Sequence, residues 1–463
     1  MWSRDGTYHF IGIGGIGVSA VARVLHEQGV RVQGSDVRES QLTEMLRGLG
    51  VPVVIGHDAA NIESADVVVH STAVRADNVE RAAARAAGKP EAHRSDMLGL
   101  CLEGFESVGV TGTHGKGTVS AMIAHALIVA GRDPTFIIGG LLNDYGLNAR
   151  SGAGAHAIAE VDESDRSHLN LRPTHVVVNN LEVDHLNFYD GLGDIVDTMA
   201  RFVVENPRLQ TLAVHVDDAG ARRLAELVRG RTAARVLTYG TGGDGLDFAA
   251  RDVTDLGDRV SFVAWRGDER LGEVTLPLPG NYNADNAAGA LAVTMGALGL
   301  DFATVARALG SYHGLENRFA VRRAGGLTLV KDYLSHPTGM RRVLESARRM
   351  PHARIWCVFK PYRFTLMRYH GEEYAEAFRG CDEVLITTMY AAEERPIDGI
   401  DTPWFVAVLR QAGNTVHHVP ENADVVPFLD ARVGEGDMVI FFGGDDFFRM
   451  ADAWADRRDG SLG

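Results

Sequence analysis

The residue best equipped for chemistry in this sequence is a lysine at the end of a glycine-rich turn. In Ser107-Val-Gly-Val-Thr-Gly-Thr-His-Gly-Lys-Gly-Thr118, an apolar run enters the turn and the apolar stretch Val119–Val129 follows it. Gly112, Thr113, His114, Gly115, Lys116, Gly117 and Thr118 make up the turn. Strand, glycine-rich turn with lysine, then helix is an arrangement that holds a polyphosphate. Backbone N–H groups face the anion, and the ammonium neutralises its outer phosphates. A second glycine-rich turn lies upstream in Tyr8–Gly17. There Gly12, Gly14 and Gly17 fit G-x-G-x-x-G, Gly15 sits inside the turn, and Asp36 follows at the end of the next strand. This spacing is a dinucleotide fingerprint, and it suits the diphosphate of a UDP-sugar equally well. Read alone it predicts an NAD-dependent dehydrogenase, which has no use for the lysine-bearing loop. The plainer alternative is that these glycines serve only tight packing of helix on strand.

Phosphoryl transfer from ATP needs a divalent metal and groups to hold it, at the carboxyl ends of neighbouring parallel strands. Two segments fit. Ala155–Asp165 places Glu160 where an apolar strand ends, and Val176–His185 places Asp184 and His185 just past another. Acidic clusters of this kind are also ordinary solvated turns. In Pro279–Ala288, Asn281 is a candidate helix cap. Asn283 and Asn286 share one helix face, where asparagine is a poor helix former and polar contact with a base or ribose is a reason to have it. Arg318 stands near a domain junction, able to reach ATP phosphates on domain closure. No HExxH, paired CxxC or G-x-S-x-G occurs, so zinc hydrolysis and serine-elbow chemistry have no foothold.

These residues need rigid elements to position them, and the length of 463 residues suggests about three domains. In residues 1–102 short apolar strands alternate with amphipathic helices: strands Tyr8–Gly12, Val30–Gly34 and Val67–His70, helices Val18–Gln28 and Gln41–Leu49. Residues 103–318 form a larger α/β unit with strands Ala155–Ala159 and His175–Asn179 and a more β-like stretch, Leu246–Pro277. Residues 319–463 repeat the pattern with strands Leu327–Lys331, Arg354–Phe359, Glu383–Thr387, Thr415–Val419 and Asp437–Phe442.

A net charge of −15 argues against a nucleic-acid partner while leaving room for nucleotides, which need only local positive sites. Cys101, Cys357 and Cys381 lie far apart in sequence among apolar residues and read as buried, reduced thiols. No apolar run reaches membrane-spanning length and no signal-peptide core precedes the first strand, so a cytoplasmic protein without a membrane partner is expected.

Taken together, the segments HFIGIGGIG (9–17), GSD (34–36), TGTHGK (111–116), AEVDESD (159–165), DH (184–185), PGNYNADNAA (279–288) and DYLSHPT (332–338) resemble the Mur ligase family over nearly the whole chain. The likeness is nearest to the branch that adds the first amino acid, alanine, to the peptidoglycan stem. The resemblance implies three α/β domains. These are an N-terminal Rossmann-like domain for a UDP-linked carboxylate, a central P-loop ATPase-type domain, and a C-terminal Rossmann-like domain for the acceptor. It implies that ATP, with Mg2+, phosphorylates a carboxylate of a UDP-N-acetylmuramate-like donor and that the amine of an amino acid displaces the phosphate. It also implies roles. Lys116 is the phosphate-loop lysine; Glu160 and His185 are metal ligands, joined by the Thr118 hydroxyl. Asn283 and Asn286 lie near adenine, Arg318 meets the ATP phosphates, and Asp332 meets the ribose. Gly12, Gly14, Gly15, Gly17 and Asp36 face the donor, and Ser335, His336, Tyr362 and Arg363 the acceptor side. Partners are then small molecules, with the protein a monomer or homodimer.

Several segments depart from the family's pattern. Gly117 follows the lysine where the alanine-adding branch has threonine. A family histidine reads Ser335. The family's Gln-Pro-His-Arg-Tyr-Thr-Arg reads Lys360–Leu366, which keeps Arg363 but has Tyr362 for a histidine and Leu366 for an arginine. A Gly-Ala-Gly turn reads Gly443-Gly-Asp-Asp446. Lys360 offers charge nearby, as a point rather than a fork. These changes raise a second expectation, a paralogue of specialised metabolism with a different acceptor or donor. A non-catalytic nucleotide-binding protein is a further alternative, opposed by the retention of Lys116, Glu160 and His185.

Overall fold

The computed structural model describes residues 2–391 and 394–460, so the outermost positions of the expected first and third domains lie outside the described residues. Among the described residues the strands form three sheets, one after another along the chain. The first contains β1 (Thr7–Ile11), β2 (Arg31–Asp36), β3 (Val53–Ile55), β4 (Val67–His70) and β5 (Glu91–His93) in the order 3-2-1-4-5, all parallel. That is the order of a doubly wound nucleotide-binding sheet.

The second contains β6 (Glu106–Thr111), β7 (Thr135–Leu142), β8 (Leu147–Arg150), β9 (His156–Glu160), β10 (His175–Val178), β11 (Thr211–His215), β12 (Arg235–Gly240), β13 (Phe248–Asp255), β14 (Val260–Arg266) and β15 (Glu269–Leu276). Its order is 15-14-13-12-11-10-6-9-7-8. The third holds β16 (Ala320–Ala324), β17 (Leu327–Asp332), β18 (Ile355–Phe359), β19 (Glu383–Ile386), β20 (Val416–His418) and β21 (Met438–Phe442), ordered 16-17-21-18-19-20.

Apolar runs became strands buried on both faces where helices cover the sheet. β10, β18 and β21 are buried along their whole length, as parallel strands require. The β-like stretch became the antiparallel ribbon β13–β15, where β14 alternates buried with half-buried residues because one face meets solvent. The helix after the lysine loop begins at Lys116 itself, ahead of the expected Val119, which puts its first free N–H groups in the turn. It is apolar on every side and buried from Val119 to Leu127, between the sheet and the helices Tyr282–Gly296 and Phe302–Gly310. β3 is apolar but only three residues long, and β5 carries no apolar run, which hid them in the sequence. Cys101 and Cys357 are buried free thiols; Cys381 is half-buried, a correction to the expected burial of all three. Among the described residues no helix is long and apolar enough to cross a membrane.

Candidate active site

A cavity of about 930 Å³ opens where the three sheets' domains meet. β6 has neighbours on either side, β10 and β9, that follow it in the chain, so the turn after β6 sits where the winding of the sheet reverses. Such a crevice is where open α/β sheets bind ligands. The backbone there demands glycine. Gly112 has φ 129° and Gly115 φ 78°. A Cβ on Gly112 would stand 2.8 Å from the Asn180 carbonyl oxygen, and one on Gly115 2.6 Å from Asn286 Oδ1.

The turn is held from β10's end. Thr113 N–H donates to Asn180 O (3.0 Å), His114 N–H to Asn180 Oδ1 (2.7 Å), and Asn179 Nδ2 to His114 O (3.1 Å). Lys116 Nζ donates to Gly112 O (2.7 Å) and lies 3.1 Å from the Glu163 carboxylate. Burial alone would depress the lysine, but Glu163, Asp162 and Glu160 outweigh it and hold the ammonium above its ordinary range. Asp162 is correspondingly held down to about 2: burial pushes it up, and Lys116 and Arg94 overcome that.

Thr118, Glu160 and His185 all line this cavity. Glu160 Oε2 accepts Gly139 N–H at 2.7 Å, on the loop's side. His185 stands on the third domain's side. Its Nδ1 accepts from Arg363 Nη1 at 2.9 Å, and its Nε2 lies 3.6 Å from Asp184 and 3.9 Å from Glu163. A hydroxyl and a carboxylate beside a cradle closed to any Cβ form a donor set that fits Mg2+ carrying a polyphosphate.

Beside Gly115, Asn286 Nδ2 donates to Asn283 Oδ1 (3.0 Å), and Asn283 Nδ2 to Pro279 O (2.7 Å). Asn281 makes no side-chain capping bond, so the cap alternative does not hold there. Asp332 ends β17, buried, with Oδ2 accepting Phe319 N–H at 2.9 Å. Its Oδ1 is buried without a partner, 3.9 Å from Arg318, whose Nη1 donates to Tyr333 O at 2.7 Å. Burial pushes the Asp332 carboxyl up to about 6 against the pull of Arg318. An orphaned acceptor on a cavity wall fits a ligand hydroxyl.

The expected acceptor-side residues divide. Ser335, Tyr362 and Arg363 line the cavity, with Tyr362 stacked on Tyr390 at 5.8 Å. His336 also reaches it, but its ring joins two domains. Its Nε2–H donates to Val183 O (3.2 Å), and His370 Nε2 donates to the same oxygen (2.9 Å). Thr338 Oγ1 adds a bond to Glu182 (2.7 Å), and the His114 ring lies 4.7 Å from that of His336. Leu366 is buried in the third domain's core, and Lys360 is committed to Asp446 at 2.6 Å. Lys360 therefore does not supply the charge expected of it, and the departures at 360 and 446 satisfy each other.

In the first loop, Gly15 and Gly17 line the cavity while Gly12 and Gly14 do not. Asp36 Oδ2 accepts Gly14 N–H at 2.8 Å, so it braces the loop. The cation of this loop is Arg94, which sequence reasoning missed; its Nη1 lies 2.7 Å from where a Cβ of Gly17 would stand. No pattern pointed to it, because it opens a helix after the unrecognised β5. Glu163 and Glu182 were also missed, although both lie inside or beside the acidic segments already singled out.

Comparison with known proteins places this geometry in context. The chain matches the Mur ligase family catalytic domain over residues 7–106, the Mur ligase middle domain over 110–294, and the Mur ligase glutamate ligase domain over 317–444. It is 38% identical to a UDP-N-acetylmuramate–L-alanine ligase of Desulfosudis oleivorans, covering 96% of this chain and 97% of that one. It is 37% identical to the enzyme of the same name from Geotalea daltonii, over 98% of each. The crystal structure of a UDP-N-acetylmuramate–alanine ligase from Thermotoga maritima superposes with a TM-score of 0.81 at 27% identity, covering 98% of this chain and all of that one.

Proposed function

Because the chain belongs to the Mur ligase family, we propose that it joins L-alanine to the carboxylate of UDP-N-acetylmuramate at the expense of ATP. It is an ATP-dependent, ADP-forming ligase of an acid and an amino acid, in peptidoglycan synthesis. The observation that carries the substrate reading is the cavity itself. One wall is a lysine loop, one a glycine loop with Arg94, and the third brings Asp332 and Arg363.

A carboxylate is inert to amines at neutral pH. Transfer of the γ-phosphoryl group to its oxygen gives an acyl phosphate and ADP; the amine then attacks the acyl carbon, and inorganic phosphate leaves with that oxygen. In this reading Lys116 exchanges its Glu163 partner for the ATP phosphates, whose charge it neutralises through the transfer. Glu160, Thr118 and His185 would hold Mg2+, which would supply positive charge against that of the phosphates. Asn283 and Asn286 meet adenine, Asp332 accepts from the ribose, and Arg318 reaches the phosphates. Gly12, Gly14, Gly15 and Gly17 shape the donor's diphosphate site, with Asp36 bracing it and Arg94 supplying charge. Ser335, Tyr362 and Arg363 face the acceptor, while His336 holds the third domain closed over the reaction, excluding water from the acyl phosphate. The protein works in the cytoplasm as a monomer or homodimer on small molecules.

A second reading, an acceptor other than L-alanine, is favoured by one observation: Leu366 is core and Lys360 is paired, so neither offers charge to an amino-acid carboxylate. The test is phosphate release with ATP, Mg2+ and UDP-N-acetylmuramate across a panel of amino acids and amines, with mass spectrometry of products. UDP-N-acetylmuramoyl-L-alanine as the principal product is expected. Turnover with another amine alone would replace the first reading by the second.

A further inference from the structure

β11 ends at His215, a ring of 5% exposure stacked on Tyr239 with centroids 5.3 Å apart and planes 12° apart. Its Nδ1–H donates to Asn179 O at 2.9 Å. That bond fixes the tautomer and turns the other nitrogen, Nε2, toward two carboxylates: Asp285 Oδ1 at 3.4 Å and Asp217 Oδ2 at 3.8 Å. Nε2 is buried and has no hydrogen-bond partner. Facing two anions, Nε2 either carries a second proton or, as a lone pair, needs a cation between itself and the carboxylates.

We propose that His215, Asp217 and Asp285 form a site for a zinc-class divalent cation, separate from the Mg2+ site at the phosphate loop. The spacing favours a metal over a proton. A charge-assisted N–H···O bond closes to about 2.7–2.9 Å. Donors sharing a tetrahedral metal at about 2.0–2.1 Å stand about 3.4 Å apart; the Asp285 contact has that separation, the Asp217 contact is 0.4 Å longer at 3.8 Å, and all three ligand atoms lie within 4.8 Å of one another.

The supporting shell is complete. Asp217 receives Thr241 N–H (2.7 Å) and Gly242 N–H (2.9 Å), and Asp285 receives the Thr241 hydroxyl (2.9 Å). Room for Asp217 exists because residue 240 is glycine: a Cβ there would lie 2.2 Å from Asp217 Oδ2. Hydrogen bonds of this sort hold metal-binding carboxylates in place. An imidazole with two carboxylates favours zinc-class ions over Mg2+ or Ca2+, which prefer oxygen throughout. Three protein ligands leave a position for water, reachable past the one-third-exposed Asp217 side chain. The ion would tie the end of β11 and the turn after it to the first turn of the helix Tyr282–Gly296, which carries Asn283 and Asn286.

The test uses full-length protein stripped by chelator and returned to saturating Mg2+. Titration with Co2+ is expected to give the intense visible d–d band of tetrahedral coordination, saturating at one equivalent and bleached by Zn2+. Zn2+ alone is expected to raise Tm by a few degrees. Asp285→Asn and His215→Gln lose the band, and Glu160→Gln keeps it. Absence of both the band and the Tm rise in the unsubstituted protein overturns the proposal, leaving a protonated histidine. Loss of the band in Glu160→Gln overturns it too, by assigning the ion to the phosphate loop.

Discussion

The two glycine loops share one backbone plan, strand to turn to helix, and differ in where their cation comes from. In the second loop the cation is local: Lys116 belongs to the turn and is held by Glu163 at 3.1 Å. In the first loop the Gly14 N–H is taken by the protein's own Asp36, and the cation, Arg94, arrives from a helix far along the chain. A loop built around a buried lysine suits the concentrated charge of a triphosphate. A loop part-filled by its own carboxylate, with an arginine fork beside it, suits a diphosphate ester that must be oriented rather than transferred.

The most severe way to break this contrast is Lys116→Ala. Its kcat is expected to fall by about 10³-fold in steady-state phosphate release. Removing one partner of a buried pair also strands Glu163, costing about 3 kcal/mol by denaturant unfolding. Lys116→Ala with Glu163→Ala should then recover much of the stability and none of the activity. Recovery of activity would mean that the lysine is structural. Arg94→Ala should act on the other loop, raising KM for the UDP-linked donor by about 10–100-fold at little cost in kcat. If KM for ATP moves instead, the assignment of the two loops is wrong.

Asp332 sharpens the nucleotide side. Folded Asp332 keeps its proton up to about pH 6, against an ordinary value of 3.8. Its contribution to stability is therefore full below the ordinary value and lost as pH rises through about 6. A ribose hydroxyl donating to it favours the ionised form, so ATP affinity should weaken as pH falls through about 6. Calorimetric titration with ATP across that range checks the slope, and Asp332→Asn should flatten it. The smallest effect is expected of Asp36→Asn. It keeps an acceptor for Gly14 N–H but removes the charge, costing about 1 kcal/mol and raising the donor's KM about fivefold. A loss as large as that of Arg94→Ala would mean that Asp36 meets the donor directly.

The division of legibility follows the same line. Alternating apolar runs and helices indicated three α/β units, and the residues of both turns were readable because each loop's backbone rules act within a few positions. Gly112 and Gly115 are readable as glycine from their positive φ alone, although the atoms that also exclude a Cβ, on Asn180 and Asn286, are distant in sequence. β5 was invisible because three residues carrying Glu91 and His93 make no apolar pattern, and Arg94 was hidden with it. That Lys360 spends its charge on Asp446 was not legible, because the two lie at opposite ends of a domain in sequence. His336 could be placed in the third domain from its segment, but not on Val183 of the second.

What the sequence determined by itself is local: the two glycine-rich turns, the strand-end carboxylates and histidines, and the class of fold that carries them. Only the tertiary structure decided the pairings: Lys116 with Glu163, Arg94 with Gly17, Arg363 with His185, and His215 with two aspartates. The physical reason is that backbone conformation is set by neighbours along the chain, whereas a buried charge is stabilised by whatever the packed domains bring within a few ångströms of it.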